Sequence, residues 1–340
     1  MDSKNILITG GGTGGHLSIA KVLATELKKR DYNLIFVGST IGQDKEWFLD
    51  SDIFEKTYFL KSKGFVNKNI FQKIIYPFFF IQLIYQAIKI IKYYKIDKII
   101  SVGGFSAAPA SFASILMRKK LFIHEQNCAI GLLNKILKPF SMIFFSSYDA
   151  DSPVSDYPID NKFFQIYRKR DSVKTILFLG GSQGARAINK FAMDMAKYLN
   201  DNGIKIIHQC GKLDFECVKQ FYEENNINAE CFPFAKEIEK YMYLADIAIS
   251  RSGAGSLWEL SAAGIPTLFV PYPYAASDHQ YKNALFLQSK NLCFLCRESD
   301  LKKENLDTLL KSDVESISLA LKMAILPDGC ARIIDNILIA

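Results

Sequence analysis

The apolar positions of this chain fall into two repeating arrangements. Short unbroken runs of Ile, Leu, Val and Phe recur at residues 5–9, 34–38, 98–102 and 121–124, and again at 175–179, 204–209, 246–250 and 267–270. Runs of this length without polar alternation predict parallel strands covered on both faces. Between them, apolar residues recur at helical spacing. Leu17, Ala20, Leu23, Ala24 and Leu27 share one helical face, and Lys28, Lys29 and Arg30 put positive charge where a helix should end. A second such helix is expected from Ala185 to about Leu199. Alternating strands and helices predict an α/β fold of doubly wound, Rossmann-like sheets.

Both halves use one device. Ile6-Leu-Ile-Thr9 leads into Gly10-Gly-Gly-Thr-Gly-Gly15 and a helix, and Ile176-Leu-Phe-Leu179 leads into Gly180-Gly-Ser-Gln-Gly184 and a helix. A chain of 340 residues suits two such domains. The stretch 151–170 holds Pro153, Pro158 and many charges without a regular period, so a linker is placed at 156–170, between domains at 1–155 and 171–328. Ligands of open α/β sheets bind beyond the carboxyl ends of the strands. The two glycine loops are therefore expected on one interdomain cleft.

Charge changes the picture in one region. From Lys56 to Ile96 there are eight lysines and no Asp or Glu, around an uncharged apolar run at 74–88 that contains Pro77, Gln82 and Gln86. A span needs about 20 apolar residues, so this region is read as resting on an anionic membrane rather than crossing it. A buried helix with solvated lysine flanks is the plainer alternative. Nucleic acid is not expected as a partner, because the lysines are interleaved with large aliphatics rather than arginines. The seven cysteines are odd in number and mostly lie in apolar surroundings, which reads as reduced thiols of a cytosolic protein. Cys293 and Cys296 read as thiols of a buried strand, since no second pair or nearby histidines complete a metal site. No secretory leader is expected ahead of the first strand.

The candidate chemistry gathers at the strand ends. Gly10, Gly12 and Gly15 fit GxGxxG, a pattern that brings backbone close to phosphate. A dinucleotide site would add an acid at the end of the next strand, which here closes as Phe36-Val-Gly-Ser-Thr40. His16 follows the loop directly and is a candidate general base for an acceptor hydroxyl; alternatively it only hydrogen-bonds the loop. Ser182 and its neighbouring N–H groups can donate to a diphosphate. Arg186, in the next helical turn, serves equally well as a structural ion pair. In Arg251-Ser-Gly-Ala-Gly-Ser-Leu-Trp-Glu259 the loop can turn N–H groups toward phosphate, and the Glu259 carboxylate can accept both hydroxyls of a ribose. Glu259 as a first-turn acid favoured by the helix dipole is the alternative. Gln280 can bond sugar hydroxyls, with a weaker case for His279. Asn127, in His124-Glu-Gln-Asn127, offers donor and acceptor to a sugar, and Glu125 is an alternative base. Gly103 and Gly104 either hold an acceptor diphosphate or make a tight turn. No metal motif stands out, and helix ends with backbone N–H groups can neutralise a diphosphate, so no metal or other cofactor is expected.

Gly11-Gly-Thr-Gly-Gly-His16, His124-Glu-Gln-Asn127, Gly180-Gly-Ser-Gln-Gly-Ala-Arg186, Ser250-Arg-Ser-Gly-Ala254 with Glu259, and Asp278-His-Gln280 with Asn283-Ala284 occur in this order across nearly the whole chain. In that combination the chain resembles the bacterial MurG family, the undecaprenyl-diphospho-muramoylpentapeptide β-N-acetylglucosaminyltransferases of peptidoglycan synthesis. The resemblance implies a GT-B fold, UDP-N-acetylglucosamine as donor and lipid I as acceptor. It implies an inverting displacement that yields lipid II and UDP at the cytoplasmic face of the inner membrane, with cell-wall synthesis proteins as further partners. Residues 1–155 would face acceptor and membrane, 171–328 would bind the UDP-sugar, and 329–340 would form a helix packing back on the first domain. Thr13, Gly14, Gly15 and Asn127 would lie near the donor sugar, and Ser182 would meet the diphosphate. Ala254, Gly255, Ser256, Leu257, Trp258 and Glu259 would surround the nucleotide. Ala235 would meet uracil through its backbone, and Gln280 would contact N-acetylglucosamine.

Two departures accompany the resemblance. Where the family carries an arginine, in Gly-Asn-Pro-Val-Arg, this chain reads Asp156-Tyr-Pro-Ile-Asp160, with Arg168 or Arg170 as candidate substitutes. Ile19 stands where a proline is frequent. The rival readings are another GT-B enzyme, either a lipid glycosyltransferase or a UDP-N-acetylglucosamine 2-epimerase, and a non-catalytic nucleotide-sugar-binding scaffold.

Overall fold

The computed structural model describes residues 4–62, 70–181 and 184–340, with side chains throughout these except at 70–76. The chain divides into two compact units, Met1–Pro158 with Asp328–Ala340, and Ile159–Pro327. Each is built on one six-stranded sheet, and every strand pairing in both is parallel.

The first unit contains β1 (Asn5–Thr9), β2 (Asn33–Ser39), β3 (Lys56–Leu60), β4 (Lys98–Ser101), β5 (Lys120–Glu125) and β6 (Ile143–Ser146), in the spatial order β3-β2-β1-β4-β5-β6. The second contains β7 (Thr175–Leu179), β8 (Lys205–Gln209), β9 (Ala229–Phe232), β10 (Ile247–Ser250), β11 (Thr267–Phe269) and β12 (Phe294–Leu295), in the order β12-β11-β10-β7-β8-β9. Counted within its own unit, each sheet has the order 3-2-1-4-5-6 of a doubly wound fold. The order reverses between β1 and β4 in one sheet and between β7 and β10 in the other. The crevice of each unit therefore opens where a glycine loop leaves β1 or β7.

The unbroken apolar runs explain the central strands. Ile6, Leu7, Ile8, Ile35 and Ile99 are inaccessible to solvent, as are Ile176, Phe178, Ile247 and Ile249. Helix Gly14–Lys29 buries Leu17, Ala20, Leu23, Ala24 and Leu27 on one face. Helix Arg186–Asp201 buries Ile188, Ala192, Ala196 and Leu199 in the second core. Burial of a Leu or Ile side chain contributes roughly 1.5–3 kcal/mol, so these faces outweigh any local propensity. The outer strands β3, β6 and β9 were not anticipated from the sequence. They are four or five residues long and mostly half-buried, so they lack the full apolar run.

Helix Ile70–Tyr93 tolerates Pro77 within its second turn. It buries Leu83, Ala87, Ile90 and Ile91 against the first sheet. Among the described residues no helix is long and apolar enough to cross a membrane. The C-terminal helix Gly329–Ile339 lies against helix Gly14–Lys29, with Arg30 Nη1 2.5 Å from Asp335. Lys98 Nζ donates to the carbonyls of Ile337 (2.8 Å) and Leu338 (2.9 Å), a cation at the helix end where unsatisfied carbonyls collect. The stretch 156–170 is structured: Tyr157, Ile159 and Phe163 are buried, and Asn161–Gln165 is helical.

Candidate active site

In the first unit, three turns meet at the carboxyl edge of the sheet. The Gly11 N–H donates to the Gly103 carbonyl at 3.1 Å, docking the loop after β1 on the turn after β4. Gly104 adopts φ +77°, and a Cβ there would collide with the Gly11 carbonyl, so only glycine fits. Gly15 lies against the Gln126 carboxamide, whose oxygen would be 3.2 Å from a Cβ.

His16 is half-buried in the first turn of helix Gly14–Lys29. Its Nδ1 lies 3.0 Å from the Thr13 hydroxyl, and its Cδ2 edge faces Gly103. His124, at the end of β5, is fully buried, and neither ring nitrogen meets a hydrogen-bond partner among the described residues. Burial, with the charge of nearby His16 as a lesser cause, pushes His124 down to about 3, so it stays neutral.

Glu125 is occupied otherwise. Its Oε1 accepts the Asn127 N–H at 2.9 Å, and its Oε2 accepts the Gly131 N–H and Asn134 Nδ2, both at 2.9 Å. Both oxygens hold the turn that carries Asn127, which leaves His16 as the candidate base in this unit. Asp44 carried no signal in the sequence, yet it sits at the same edge. It accepts N–H bonds from Gly12 and from Ser39.

In the second unit, the loop after β7 starts with the Gly180 N–H donating to Gln209 O at 3.1 Å. Ser182 lies outside the described residues. Arg186 is exposed and 3.9 Å from Asp214, a loose ion pair on the surface. Helix Ala254–Ala262 begins within four residues of the end of β10, with Gly253 as N-cap. The first-turn amides of such a helix have no intrahelical acceptor and point outward with the positive end of its dipole. Arg251 fixes the turn before it, donating to the Val270 and Pro271 carbonyls at 3.1 Å and pairing with Glu298 at 2.6 Å. Ala254, Leu257 and Trp258 are buried, so Leu257 and Trp258 offer a ligand only backbone, while Gly255 and Ser256 are half-open.

Glu259 is half-buried, and desolvation pushes its carboxyl up to about 7. Lys162 pulls it down, while Asp160 and Glu239 push it further up. Asp160, which stands in place of an arginine, caps helix Asn161–Gln165 by accepting the Lys162 N–H at 3.1 Å. Lys162 Nζ pairs with Glu239 at 2.9 Å. The suggested substitutes are engaged elsewhere. Arg168 binds Asp246 at 2.5 Å and the Tyr243 carbonyl at 2.7 Å. Arg170 is buried and donates to the carbonyls of Ala245, Ala263 and Gly264. Lys162 is thus the cation whose charge reaches Glu259.

Gln280 Oε1 accepts the Tyr272 N–H at 2.9 Å, which places its amide NH2 on the side of Gly253. His279 Nδ1 meets the Ala276 carbonyl at 2.8 Å, a local cap. Ala235 is half-buried between β9 and helix Ile238–Leu244. Cys293 and Cys296 are buried thiols flanking β12. Among the described residues, no group of three or more His, Cys, Asp or Glu side chains is placed to hold a metal ion.

Residues 6–142 match the glycosyltransferase family 28 N-terminal domain, and residues 175–327 match the glycosyltransferase family 28 C-terminal domain. Over 334 residues the chain is 51% identical to the UDP-N-acetylglucosamine–N-acetylmuramyl-(pentapeptide) pyrophosphoryl-undecaprenol N-acetylglucosamine transferase of Campylobacter fetus subsp. fetus, covering 98% of this chain and 99% of that one. The chain belongs to the MurG family. A crystal structure of Acinetobacter baumannii MurG superposes with a TM-score of 0.80 at 25% identity over 99% of both chains. As a MurG-family member the chain is an N-acetylglucosaminyltransferase with two Rossmann-like domains of the GT-B class. A putative UDP-N-acetylglucosamine 2-epimerase from Listeria monocytogenes shares the fold at a TM-score of 0.64, covering 98% of this chain and 95% of that one, but at 12% identity the likeness is of fold alone.

Proposed function

We propose that this MurG-family chain transfers N-acetylglucosamine from UDP-N-acetylglucosamine to a hydroxyl of lipid I, forming lipid II and UDP with inversion at the anomeric carbon. Identity of 51% across 98% of the chain carries this reading. The second unit binds the nucleotide. Its glycine loop, with Ser182, and the first turn of helix Ala254–Ala262 offer N–H groups to the diphosphate, Glu259 takes the ribose hydroxyls, and the Ala235 backbone meets uracil. The family motifs assign sugar recognition to Gln280 in the second unit and to Thr13, Gly14, Gly15 and Asn127 in the first. Gly103 and Gly104 serve the acceptor diphosphate.

His16 acts as general base. With the Thr13 hydroxyl accepting from Nδ1–H, the lone pair lies on Nε2 and takes the acceptor proton. The acceptor oxygen then bonds to the anomeric carbon as the bond to the UDP oxygen breaks. The developing charge on that oxygen is met by the amides and the helix dipole of the second unit. Replacing His16 by Ala should cut turnover about 100-fold or more while UDP affinity changes little. Turnover equal to wild type would remove His16 from that role.

The membrane is the site of encounter with lipid I. On helix Ile70–Tyr93, Phe78, Ile81 and Tyr85 are 75%, 62% and 55% exposed at the spacing of a single face, and Leu116 of the neighbouring helix is 68% exposed. Lys89 lies over the Tyr85 ring, Lys92 and Lys95 are exposed at the end of the same helix and just after it, and Lys56 and Lys61 are exposed at the two ends of β3. Lys63 and Lys68 lie outside the described residues. An apolar stripe flanked by lysines suits peripheral docking on anionic lipid. Phe78→Ser with Ile81→Ser should reduce sedimentation with phosphatidylglycerol vesicles and leave UDP binding intact. Undiminished vesicle binding would place the docking surface elsewhere.

A further inference from the structure

Asp44 lies in helix Asp44–Phe48, five residues beyond the end of β2, and has no solvent exposure. Its Oδ1 accepts the Gly12 N–H at 2.5 Å, and its Oδ2 accepts the Ser39 N–H at 2.7 Å. One carboxylate thus clasps the glycine loop to the end of the adjacent strand. The fit is close on both sides. A Cβ at Gly11 would lie 2.6 Å from Oδ1, and a Cβ at Gly38 would lie 2.8 Å from Oδ2. The buried Ser106 hydroxyl, from the turn after β4, lies beside the carboxylate but outside hydrogen-bond geometry. Burial pushes the carboxyl above the usual carboxylate range, and the Gly12 and Ser39 amides pull against that. A buried anion persists only where such charge-assisted bonds offset its desolvation.

The position of this acid is informative. A dinucleotide-binding sheet carries an acid near the end of its second strand to hold a ribose. Here the acid folds back on the strand end and spends both oxygens on backbone amides. With the Gly11 amide bonded to Gly103 and the Gly12 amide to Asp44, the inner half of the loop is fixed, and the outer half leads directly into Thr13 and His16.

We propose that Asp44 is a positioning residue for the transfer reaction: its carboxylate fixes the loop 10–15 and thereby the placement of His16. This rests on the reading of His16 as the base. The effect falls on sugar placement and the chemical step and spares UDP affinity, because Thr13, Gly14 and Gly15 of this loop are assigned to the sugar and the nucleotide to the other unit.

The test compares the full-length wild type with Asp44→Asn, which keeps the shape but loses one acceptor and the charge. Turnover is measured with UDP-N-acetylglucosamine and a short-chain lipid I analogue, UDP affinity by calorimetry, and amide exchange in the peptide spanning 10–17 by mass spectrometry. The expected result is a loss of about tenfold or more in kcat, UDP affinity within about twofold, and faster exchange in that peptide. Asp44→Glu keeps the charge but displaces it by a methylene into space that Gly11 and Gly38 do not leave, so it should show the same pattern. It is the second variant should Asp44→Asn not fold. A folded variant with wild-type kcat, or one that loses UDP affinity in proportion to kcat, would overturn the proposal. Amide exchange reads the clasp without turnover. An inactive wild type would sink the transferase reading, whereas unchanged exchange in Asp44→Asn would sink this one.

Discussion

The raised Glu259 carboxyl makes donor binding depend on pH in a definite direction. Desolvation holds its value at about 7 in the free protein, with Lys162, Asp160 and Glu239 as the charged neighbours. Only the carboxylate can accept two ribose hydroxyls; the protonated acid has lost part of its acceptor capacity. If binding selects the ionised form, apparent affinity scales with the ionised fraction, which is about one-tenth at pH 6 and about nine-tenths at pH 8. UDP affinity should therefore rise about tenfold between pH 6 and pH 8, with most of the change below pH 7.5. The terminal phosphate of UDP titrates in the same range. Glu259→Gln keeps that contribution and loses the carboxyl, so the difference between the two profiles isolates Glu259. Calorimetric titrations at half-unit pH steps read it directly. Profiles of the same slope for wild type and variant, or affinity that rises on acidification, would refute the role of Glu259 at the ribose.

Three further outcomes follow from the same geometry. Gly104→Ala forces a side chain into φ +77° and against the Gly11 carbonyl, and should lower the unfolding free energy by about 2 kcal/mol or more while abolishing transfer; a thermal midpoint and turnover equal to wild type would contradict this. His124 and His208, the latter fully buried on β8, are both held at about 3 by burial, below the value near 6.5 of an unfolded chain, so their stability contribution is present above pH 6.5 and lost as pH falls toward 3. Urea titrations should show a loss approaching about 1.4 kcal/mol per pH unit for each histidine in that window, and stability flat from pH 7 to pH 4 would count against buried neutral rings. Arg170→Met should destabilise the second unit by about 3 kcal/mol, because the buried Ala245, Ala263 and Gly264 carbonyls lose their donor; a change under about 0.5 kcal/mol would show that other groups satisfy them.

The central strands were legible because burial on both faces writes itself as an unbroken apolar run. Asn5–Thr9 and Thr175–Leu179 match their expected bounds at both ends. The edge strands β3, β6 and β9 were not, because a half-covered strand needs no such run. The glycine loops were legible for a related reason: positive φ and backbone contact admit only glycine, as at Gly104. The carboxylates that hold those loops left no trace of their own. Asp44 sits in the polar stretch Gln43-Asp-Lys-Glu46, where composition reads as solvated helix, and only the fold brings it beneath Gly12. Glu125 was visible within its motif, but its engagement by three donors depends on how the following turn closes. Asp160 was noticed as a lost arginine. Its capping bond to the Lys162 amide gives it a structural purpose that spacing alone did not disclose.

Transfer of N-acetylglucosamine to a lipid acceptor, with His16 as base, makes labelled lipid the decisive product. The most direct test supplies radiolabelled UDP-N-acetylglucosamine and a short-chain lipid I analogue to the wild type and to His16→Ala, and separates labelled lipid from labelled sugar. Label is expected in the lipid fraction, dependent on the acceptor and reduced about 100-fold in the variant. Release of UDP with no labelled lipid, or UDP bound with no turnover in the wild type, would contradict it.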